Sequence, residues 1–569
     1  MKKFHLTDHY ALINFDASAC DSEVKIVSSK PFETVLTQFV KRLRKDKHPL
    51  MTVLKGIRTT MILDAYRHLL IWNYDDVLKR NPGLVVLLRQ RDAFYRFTES
   101  FYDYWRRIER FGVMAGHKAH AGQKAPDLIQ TSDAFNSRVL YLYRTITQNI
   151  LGHDFQVYRQ LPAGVNANLI LVPHRWSYAE DYASLQGVGF ITHALTRPPF
   201  LIYSKSNTRS GLFTEIKENP MRTLAINKLH YIAYPVKIGP LLAFVYIHRD
   251  FLHHGIALAN LFEPETYDNI KNRKPDLIYV YGIREDKYDC TWHHDTQEDV
   301  YVGFVSRKDQ NDYFGYLKKM LLTLHNVYMI DKGRLPIHGA MVSVLLKNDE
   351  TKNIVVIGDS GAGKSETLEA LRLIGREYIK EMRIIFDDMG TFYYKGKQVV
   401  ANGTEIGAFV RLDDLDAGYA YQEMDRAVFM NTDQINARVV LPVTLYDFIM
   451  KDHKVDLLLY ANNYEETEAG VRFFEDIDEA LKVFRKGQRF AKGTTSEEGL
   501  VKSYFANPFG PIQRKAQTEP LLEDYFKALY QQKTPVGELY TRLAVPGFEM
   551  DGPKHAARKL LALLTETPK

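Results

Sequence analysis

Residues 353–365 read NIVVIGDSGAGKS, an apolar run that leads directly into the pattern G-x-x-x-x-G-K-[ST]. The apolar run predicts a strand and Ser365 to Ile374 predicts a helix, so the glycine-rich segment forms a strand-to-helix turn. Glycines let successive backbone N–H groups point at one anion, and the helix adds its positive N-terminal end. We expect Lys364 to reach the β- and γ-phosphates of a nucleotide and Ser365 to bind the bridging Mg²⁺. The candidate nucleotide-binding residues are Gly358, Asp359, Ser360, Gly361, Ala362, Gly363, Lys364, Ser365 and Glu366.

The composition is that of a globular protein. The chain has 569 residues, of which 45% are hydrophobic and 25% are charged, and this excludes disordered, collagen-like and coiled-coil classes. The net charge of +6, from 75 Lys+Arg and 69 Asp+Glu, is too dilute to indicate a nucleic-acid partner. Two cysteines cannot build a disulfide framework, and no run of 18 apolar residues occurs. We expect a cytoplasmic protein that binds neither nucleic acid nor membrane.

Three regions follow one another along the chain. Residues 1–150 predict a mainly helical region, in which aromatic side chains from Asp92 to Gly112 recur at helical spacing and Gly112 is the predicted stop. This aromatic stripe is more typical of a packed core than of a base-stacking platform. Residues 151–311 predict an α+β, possibly substrate-binding, domain, and 312–569 predict the nucleotide- and metal-binding domain. The expected fold class is therefore α/β (α+β).

An acidic pair follows the helix of the phosphate loop. The run Arg383 to Phe386 predicts a buried strand that ends in Asp387 and Asp388, the position at which such folds hold a metal near the phosphates. Adjacent residues on a strand point to opposite sides, so the two carboxylates should not bind one ion equivalently. A surface turn is the alternative interpretation of two acids at a strand end.

Taken together, these motifs resemble two related families. Ile337-His338-Gly339, then GDSGAGKSE at 358–366 and Phe386-Asp387-Asp388, resemble the catalytic core of bacterial HPr kinase/phosphorylase. Residues 312–510 more widely resemble ATP-dependent phosphoenolpyruvate carboxykinase, which shares and extends that core. The stretches that carry this second resemblance are Tyr313–Lys319, Asn402–Ala408, Asn436–Pro442, Gly493–Gly499 and Phe505–Gly510.

The carboxykinase resemblance implies ATP, Mg²⁺ and Mn²⁺ as cofactors. It implies that Lys319, His338 and Asp388 bind Mn²⁺ and that Arg438 bridges the transferred phosphoryl group and a substrate carboxylate. A neutral amine, an imidazole and a carboxylate form a mixed shell suited to Mn²⁺ when the lysine is deprotonated. The reaction implied is oxaloacetate plus ATP to phosphoenolpyruvate, ADP and CO₂.

The sequence departs from the carboxykinase pattern at the substrate-binding arginine. Its best candidate is Arg209 in Ser206–Ser210, and a solvated loop arginine is the alternative. Two other functions therefore stay open. One is a serine kinase with a small protein acceptor, in which Asp387 or Asp388 is the general base. The other is a non-catalytic ATP sensor or scaffold.

Overall fold

The structure, a computed structural model, describes residues 4–16, 21–53, 55–116, 127–158, 161–177, 179–412, 423–491 and 499–565. Contacts group the chain into two units: Met1–Pro173 with Ile191–Phe200, and His174–Phe190 with Leu201–Lys569. The phosphate loop, the acidic pair and Arg209 all belong to the second unit.

The first unit packs helices around a strongly aromatic core. Its strands are β1 (Phe4–Leu6), β2 (Tyr10–Asn14), β3 (Glu109–Ala115), β4 (Ala167–Pro173) and, from Ile191 onward, β5 (Gly189–Thr196). Its helices are α1 (Glu23–Val27), α2 (Lys30–Lys45), α3 (Pro49–Val53), α4 (Thr59–Leu69), α5 (Tyr74–Arg80), α6 (Val85–Leu88), α7 (Arg91–Arg107) and α8 (Leu128–Leu151). β2, β3 and β4 are parallel neighbours, and β1 is antiparallel to β2.

Helix α7 confirms one part of the predicted aromatic helix and corrects another. Phe94, Phe97 and Phe101 are buried in the core of the first unit, as the helical spacing predicts. The helix nevertheless ends at Arg107, and Gly112 lies inside β3 instead of stopping a helix. Strand pairing on both sides of β3 outweighs the local periodicity, and a Cβ at Gly112 would lie 2.5 Å from the Asn168 side chain.

The second unit begins with a mixed sheet. Its strands are β7 (Thr214–Glu215), β8 (Tyr231–Ile238), β9 (Leu241–His248), β10 (Glu263–Pro264), β11 (Leu277–Ile283), β12 (Thr291–Asp295) and β13 (Val300–Ser306). The order is β8-β9-β11-β13-β12-β7, with β10 on β8. The short helices α9 (Leu252–Ala257) and α10 (Tyr267–Ile270) also lie in this part of the chain.

A second mixed sheet carries the phosphate loop. Its strands are β14 (Leu335–Leu346), β15 (Thr351–Ile357), β16 (Ile379–Phe386), β17 (Met389–Lys395), β18 (Gln398–Gly403), β22 (His453–Lys454), β23 (Leu457–Asn462), β24 (Val471–Phe473) and β27 (Val536–Tyr540). Their order in the sheet is β22-β18-β17-β14-β15-β23-β27-β24, with β16 on β14. The helices are α11 (Phe314–Asp331), α12 (Lys364–Ile374), α13 (Tyr446–Ile449), α14 (Ile477–Lys486), α15 (Lys515–Gln531) and α16 (Asp551–Thr565).

Two apolar clusters fix this sheet between its helices. One joins the sheet to α14 and α15, and the other joins it to α12 and α16. Two smaller sheets follow. The first has the order β19 (Gly407–Arg411), β21 (Arg438–Pro442), β20 (Val428–Met430) and β6 (Phe200–Ile202), and β21 is antiparallel to both β19 and β20. The second pairs β25 (Gln488–Phe490) with β26 (Leu500–Lys502).

The fold is therefore mixed α/β, with several sheets that combine parallel and antiparallel strands. Among the described residues, no helix has both the length and the hydrophobicity that a bilayer crossing requires.

Candidate functional site

The glycine-rich segment joins β15 to α12, which confirms the predicted strand, loop and helix. Gly361 and Gly363 have φ values of +77° and +86°, a region that favours glycine. A Cβ at Gly363 would also lie 2.5 Å from Thr541 Oγ1. The Thr541 hydroxyl donates to Ala362 O over 2.8 Å, so the residue that directly follows β27 holds the loop in its curled form.

Lys364 and Ser365 face different partners at the end of this loop. Lys364 is buried, and its Nζ donates to Asp359 O over 3.0 Å. Ser365 Oγ donates to Asp387 Oδ1 over 3.0 Å. Burial raises the pKa of Asp387 to about 6, although Lys364 and the Ser365 hydroxyl act in the opposite direction. The first acid of the pair thus sits against the residue that the motif assigns to Mg²⁺.

Three basic side chains contact the Asp388 carboxylate. Lys318 Nζ and Lys319 Nζ each lie 2.6 Å from Asp388 Oδ2, and His338 Nε2 lies 3.0 Å from Asp388 Oδ1. Burial by itself would raise the pKa of Asp388, but the two lysines and His338 outweigh it and hold that pKa well below its usual range. Asp387 and Asp388 therefore have separate partners. The predicted strand ends at Phe386 and both acids lie in the bend before β17, so this difference comes from the bend and not from alternation along a strand.

The two lysines differ in their electrostatic surroundings. Burial lowers the pKa of Lys319, and the attraction of Asp388 only partly opposes this shift. For Lys318 burial acts in the same direction, but Asp388 and Glu405 outweigh it and raise the pKa. Glu405 Oε1 lies 2.8 Å from Lys318 Nζ. Lys318 is thus held as a cation, while Lys319 is the amine that a metal ion can deprotonate.

His338 is oriented by the backbone on its other side. Its Nδ1 lies 2.5 Å from Ala506 O and its Nε2 lies 3.0 Å from Asp388 Oδ1, so acceptors fix the imidazole ring on both sides. Phe505 and Ala506 both have positive φ, 53° and 49°, an uncommon backbone conformation that accompanies this contact. Lys319, His338 and Asp388 thus present the N, N and O donor set that Mn²⁺ accepts.

Asp359, inside the phosphate loop, is fixed by Arg489. Arg489 is buried, and its Nε and Nη2 both lie 3.1 Å from Asp359 Oδ2. His338 Nδ1 lies 3.7 Å from Asp359 Oδ1. Burial alone would raise the pKa of Asp359, but His338 and Arg489 lower it. This carboxylate therefore links the phosphate loop to the imidazole of the Asp388 cluster.

Arg209 lies against the same cluster. Its guanidinium is 5.0 Å from the centre of the Phe509 ring, and Lys319 Nζ is 4.6 Å from the centre of that ring. His338 also contacts Phe509, with ring centres 6.1 Å apart. Arg209 Nη1 donates to Gly211 O over 2.5 Å, and burial lowers the pKa of the arginine. Among the described residues, no carboxylate pairs with this guanidinium, and it remains a cation available to a ligand.

Arg438 occupies a neighbouring position. Its guanidinium lies 5.4 Å from the centre of the Phe409 ring, on which Lys318 Nζ also lies at 5.9 Å. Burial raises the pKa of Tyr313, and the positive charges of Arg438 and Arg209 partly oppose this shift. The Phe409 ring thus contacts both Arg438 and Lys318 of the Asp388 cluster, while no ion pair joins Arg438 to that cluster among the described residues.

The sequence motifs assign no role in this site to Lys318, Glu405, Arg489 or Phe509. Lys318, Glu405 and Phe509 lie within stretches that carry the carboxykinase resemblance, a signal that could have found them, whereas Arg489 lies outside those stretches. Glu366 lies in the first turn of α12, next to Ser365. Gly493-Thr494-Thr495, which the resemblance assigns to the region of an adenine pocket, lie outside the described residues.

The sequence matches no protein-family model. A search of curated proteins likewise finds no significant relative.

Proposed function

We propose that this protein is an ATP-dependent phosphotransferase of the phosphoenolpyruvate carboxykinase type, acting on a small carboxylic acid. The observation that carries the proposal is the environment of Phe509. Arg209, Lys319 and His338 all lie against its ring, and Asp388 joins the last two. A cation for a substrate carboxylate thus lies beside a metal-type donor set and a phosphate loop.

The cofactors of this proposal are ATP, Mg²⁺ and Mn²⁺. Ser365 would hold Mg²⁺, and Lys319, His338 and Asp388 would hold Mn²⁺; when bound, both ions supply positive charge for the transferring phosphoryl group. Burial lowers the pKa of Lys319, as a lysine ligand requires. His338 would donate its Nδ1–H to Ala506 O, which fixes the ring.

The chain's own residues would act mainly by position and charge. In the proposed reaction, the C–C bond to the leaving carboxylate of oxaloacetate breaks and CO₂ departs. The enolate oxygen that remains forms a bond to the γ-phosphorus, and the bond to the β-phosphate oxygen breaks to release ADP. Arg209 would hold the remaining carboxylate, while Lys364 and Arg438 would stabilise the negative charge of the moving group. No protein base is needed, because decarboxylation itself generates the nucleophile.

The test is the formation of phosphoenolpyruvate from oxaloacetate, ATP and Mn²⁺. We expect wild type to form the product and Lys364→Ala to lose it. Lys332→Ala is the matched control, since Lys332 is an exposed lysine paired with Asp299. ATP binding by wild type without any product would contradict the proposal.

One observation favours a second candidate, a serine kinase with a small protein acceptor. Burial raises the pKa of Asp387 to about 6, and a carboxylate with such a pKa suits a general base near neutral pH. This candidate predicts transfer of labelled γ-phosphate from ATP to a protein serine, with loss of transfer in Asp387→Asn. The carboxykinase proposal predicts no labelled protein.

A further inference from the structure

Two histidines and an aspartate meet in the second unit, outside the residues assigned above. His253 and His254 lie on α9, and Asp312 lies two residues before α11. His253 Nε2 and His254 Nε2 each lie 3.0 Å from Asp312 Oδ1. The side chains are 7%, 0% and 6% exposed, so the three groups meet away from bulk water.

The spacing of these atoms matches the edges of a metal coordination shell. One donor atom from each residue lies within 4.8 Å of the other two. In a tetrahedral zinc site with bonds of about 2.0–2.1 Å, neighbouring ligand atoms are about 3.3 Å apart. Two imidazole nitrogens and one carboxylate oxygen are also a ligand set that Zn²⁺ prefers. A small movement of the side chains would therefore admit an ion.

The surroundings of Asp312 orient its carboxylate for this role. Lys205 N donates to Asp312 Oδ2 over 3.0 Å, while Oδ1 faces the two imidazoles. A ligating carboxylate fixed by a hydrogen bond to its second oxygen is a common feature of metal sites. Ser206 N also donates to the backbone oxygen of Asp312, over 3.2 Å.

Aromatic side chains line the other side of the cluster. The rings of Phe251, Tyr281 and Phe314 have their centres 6.4, 6.2 and 6.3 Å from that of His254. Such apolar walls restrict water and strengthen the attraction between a cation and its ligands.

We propose that His253, His254 and Asp312 bind a divalent transition-metal ion, with Zn²⁺ as the preferred ion. The ion would connect α9 to the start of α11, which carries Lys318 and Lys319. Through Lys205 and Ser206 it would also fix the loop that bears Arg209. This role is structural, and it does not depend on the proposed reaction.

The test is zinc binding by the full-length protein. Chelator-treated protein is reloaded with Zn²⁺, dialysed, and analysed for zinc by mass spectrometry, and Co²⁺ replaces Zn²⁺ for absorption spectra. Asp312→Asn keeps the shape and the acceptor for Lys205 N, and His254→Phe keeps a ring among aromatic neighbours. His174→Phe is the matched control, because His174 is a buried imidazole among Phe190, Phe244 and Tyr267.

We expect wild type and His174→Phe to retain one equivalent of zinc after dialysis. Asp312→Asn and His254→Phe should lose this zinc, because their affinity for zinc is reduced more than about tenfold. His338→Asn, which removes a ligand of the Asp388 cluster, should keep it. The cobalt spectrum should show nitrogen and oxygen ligation that disappears in Asp312→Asn. Wild type without retained zinc, or zinc lost from His338→Asn and kept by Asp312→Asn, would overturn the proposal. If His254→Phe fails to fold, Asp312→Asn decides the outcome alone.

Discussion

Lys319 Nζ lies 2.6 Å from Asp388 Oδ2, although the two residues are far apart in the sequence and reach each other from α11 and from the end of β16. Burial lowers the pKa of the lysine, while the neighbouring Lys318 remains a cation between Asp388 and Glu405. Among the described residues, Glu405 forms an ion pair with Lys318 and none with Lys319, so the two adjacent lysines of α11 have different electrostatic surroundings. This difference in surroundings raises the pKa of Lys318 and lowers the pKa of Lys319, and the proposed metal site uses the second of these two amines.

Replacing Lys319 separates metal binding from nucleotide binding. We expect Lys319→Met to reduce Mn²⁺-dependent phosphoenolpyruvate formation by more than about 100-fold, because a donor atom of the metal shell is lost. ATP affinity, measured by isothermal titration, should change less than about threefold, since the side-chain contacts of Lys319 among the described residues are with Asp388 and Phe509 and not with the phosphate loop. Equal loss of both properties would show that Lys319 supports the fold instead of the metal.

Replacing Gly363 tests the curvature of the phosphate loop. Gly363→Ala would place a Cβ 2.5 Å from Thr541 Oγ1 at a φ of +86°, so we expect it to lower both the melting temperature and ATP affinity. Gly396→Ala is the control: it has a φ of +62° and no atom within 4 Å of the added Cβ, and it should cost only about 1 kcal/mol. Similar ATP binding by the two variants would contradict the tight contact with Thr541.

Replacing Arg209 tests the carboxylate site. We expect Arg209→Lys to raise the KM for oxaloacetate about tenfold or more while the KM for ATP stays unchanged, because a lysine lacks the planar fork that binds a carboxylate in two places. Arg222→Lys is the control, since Arg222 is exposed and pairs with Asp181 over 2.8 Å. An unchanged KM for oxaloacetate would assign Arg209 to a structural role.

The buried His325 predicts a specific loss of stability in acid. Burial lowers its pKa from the ordinary value of 6.5 to about 4. In the unfolded chain the imidazole binds a proton as the pH falls through 6.5, whereas in the folded chain it stays neutral until about pH 4, so stability is lost across that window. The free energy of unfolding is measured at pH 7.5 and at pH 4.5. We expect the difference between these two values to be smaller in His325→Leu than in wild type by up to about 3 kcal/mol. A variant that loses stability in acid as steeply as wild type would exclude His325 as the cause.

The sequence predicts the local parts of this site better than its assembly. The phosphate loop, the start of α12 and the acidic pair just after β16 follow from short patterns of glycine, apolar and acidic residues. The contacts of Glu405, Arg489 and Phe509 depend on strand order and on distant loops, which no local pattern encodes. The prediction that Gly112 ends a helix is wrong for the same reason: its place in β3 depends on pairing with β2 and β4, which no local pattern encodes.

The most direct test of the central claim is the stoichiometry of one reaction. Wild-type protein is incubated with oxaloacetate, ATP, Mg²⁺ and Mn²⁺, and phosphoenolpyruvate, ADP and CO₂ formed above the enzyme-free background are measured together. The proposed function predicts equal amounts of the three products, and predicts that Lys364→Ala forms none of them. ATP bound by wild type without phosphoenolpyruvate formation, or ADP formed without an equal amount of phosphoenolpyruvate, would contradict it.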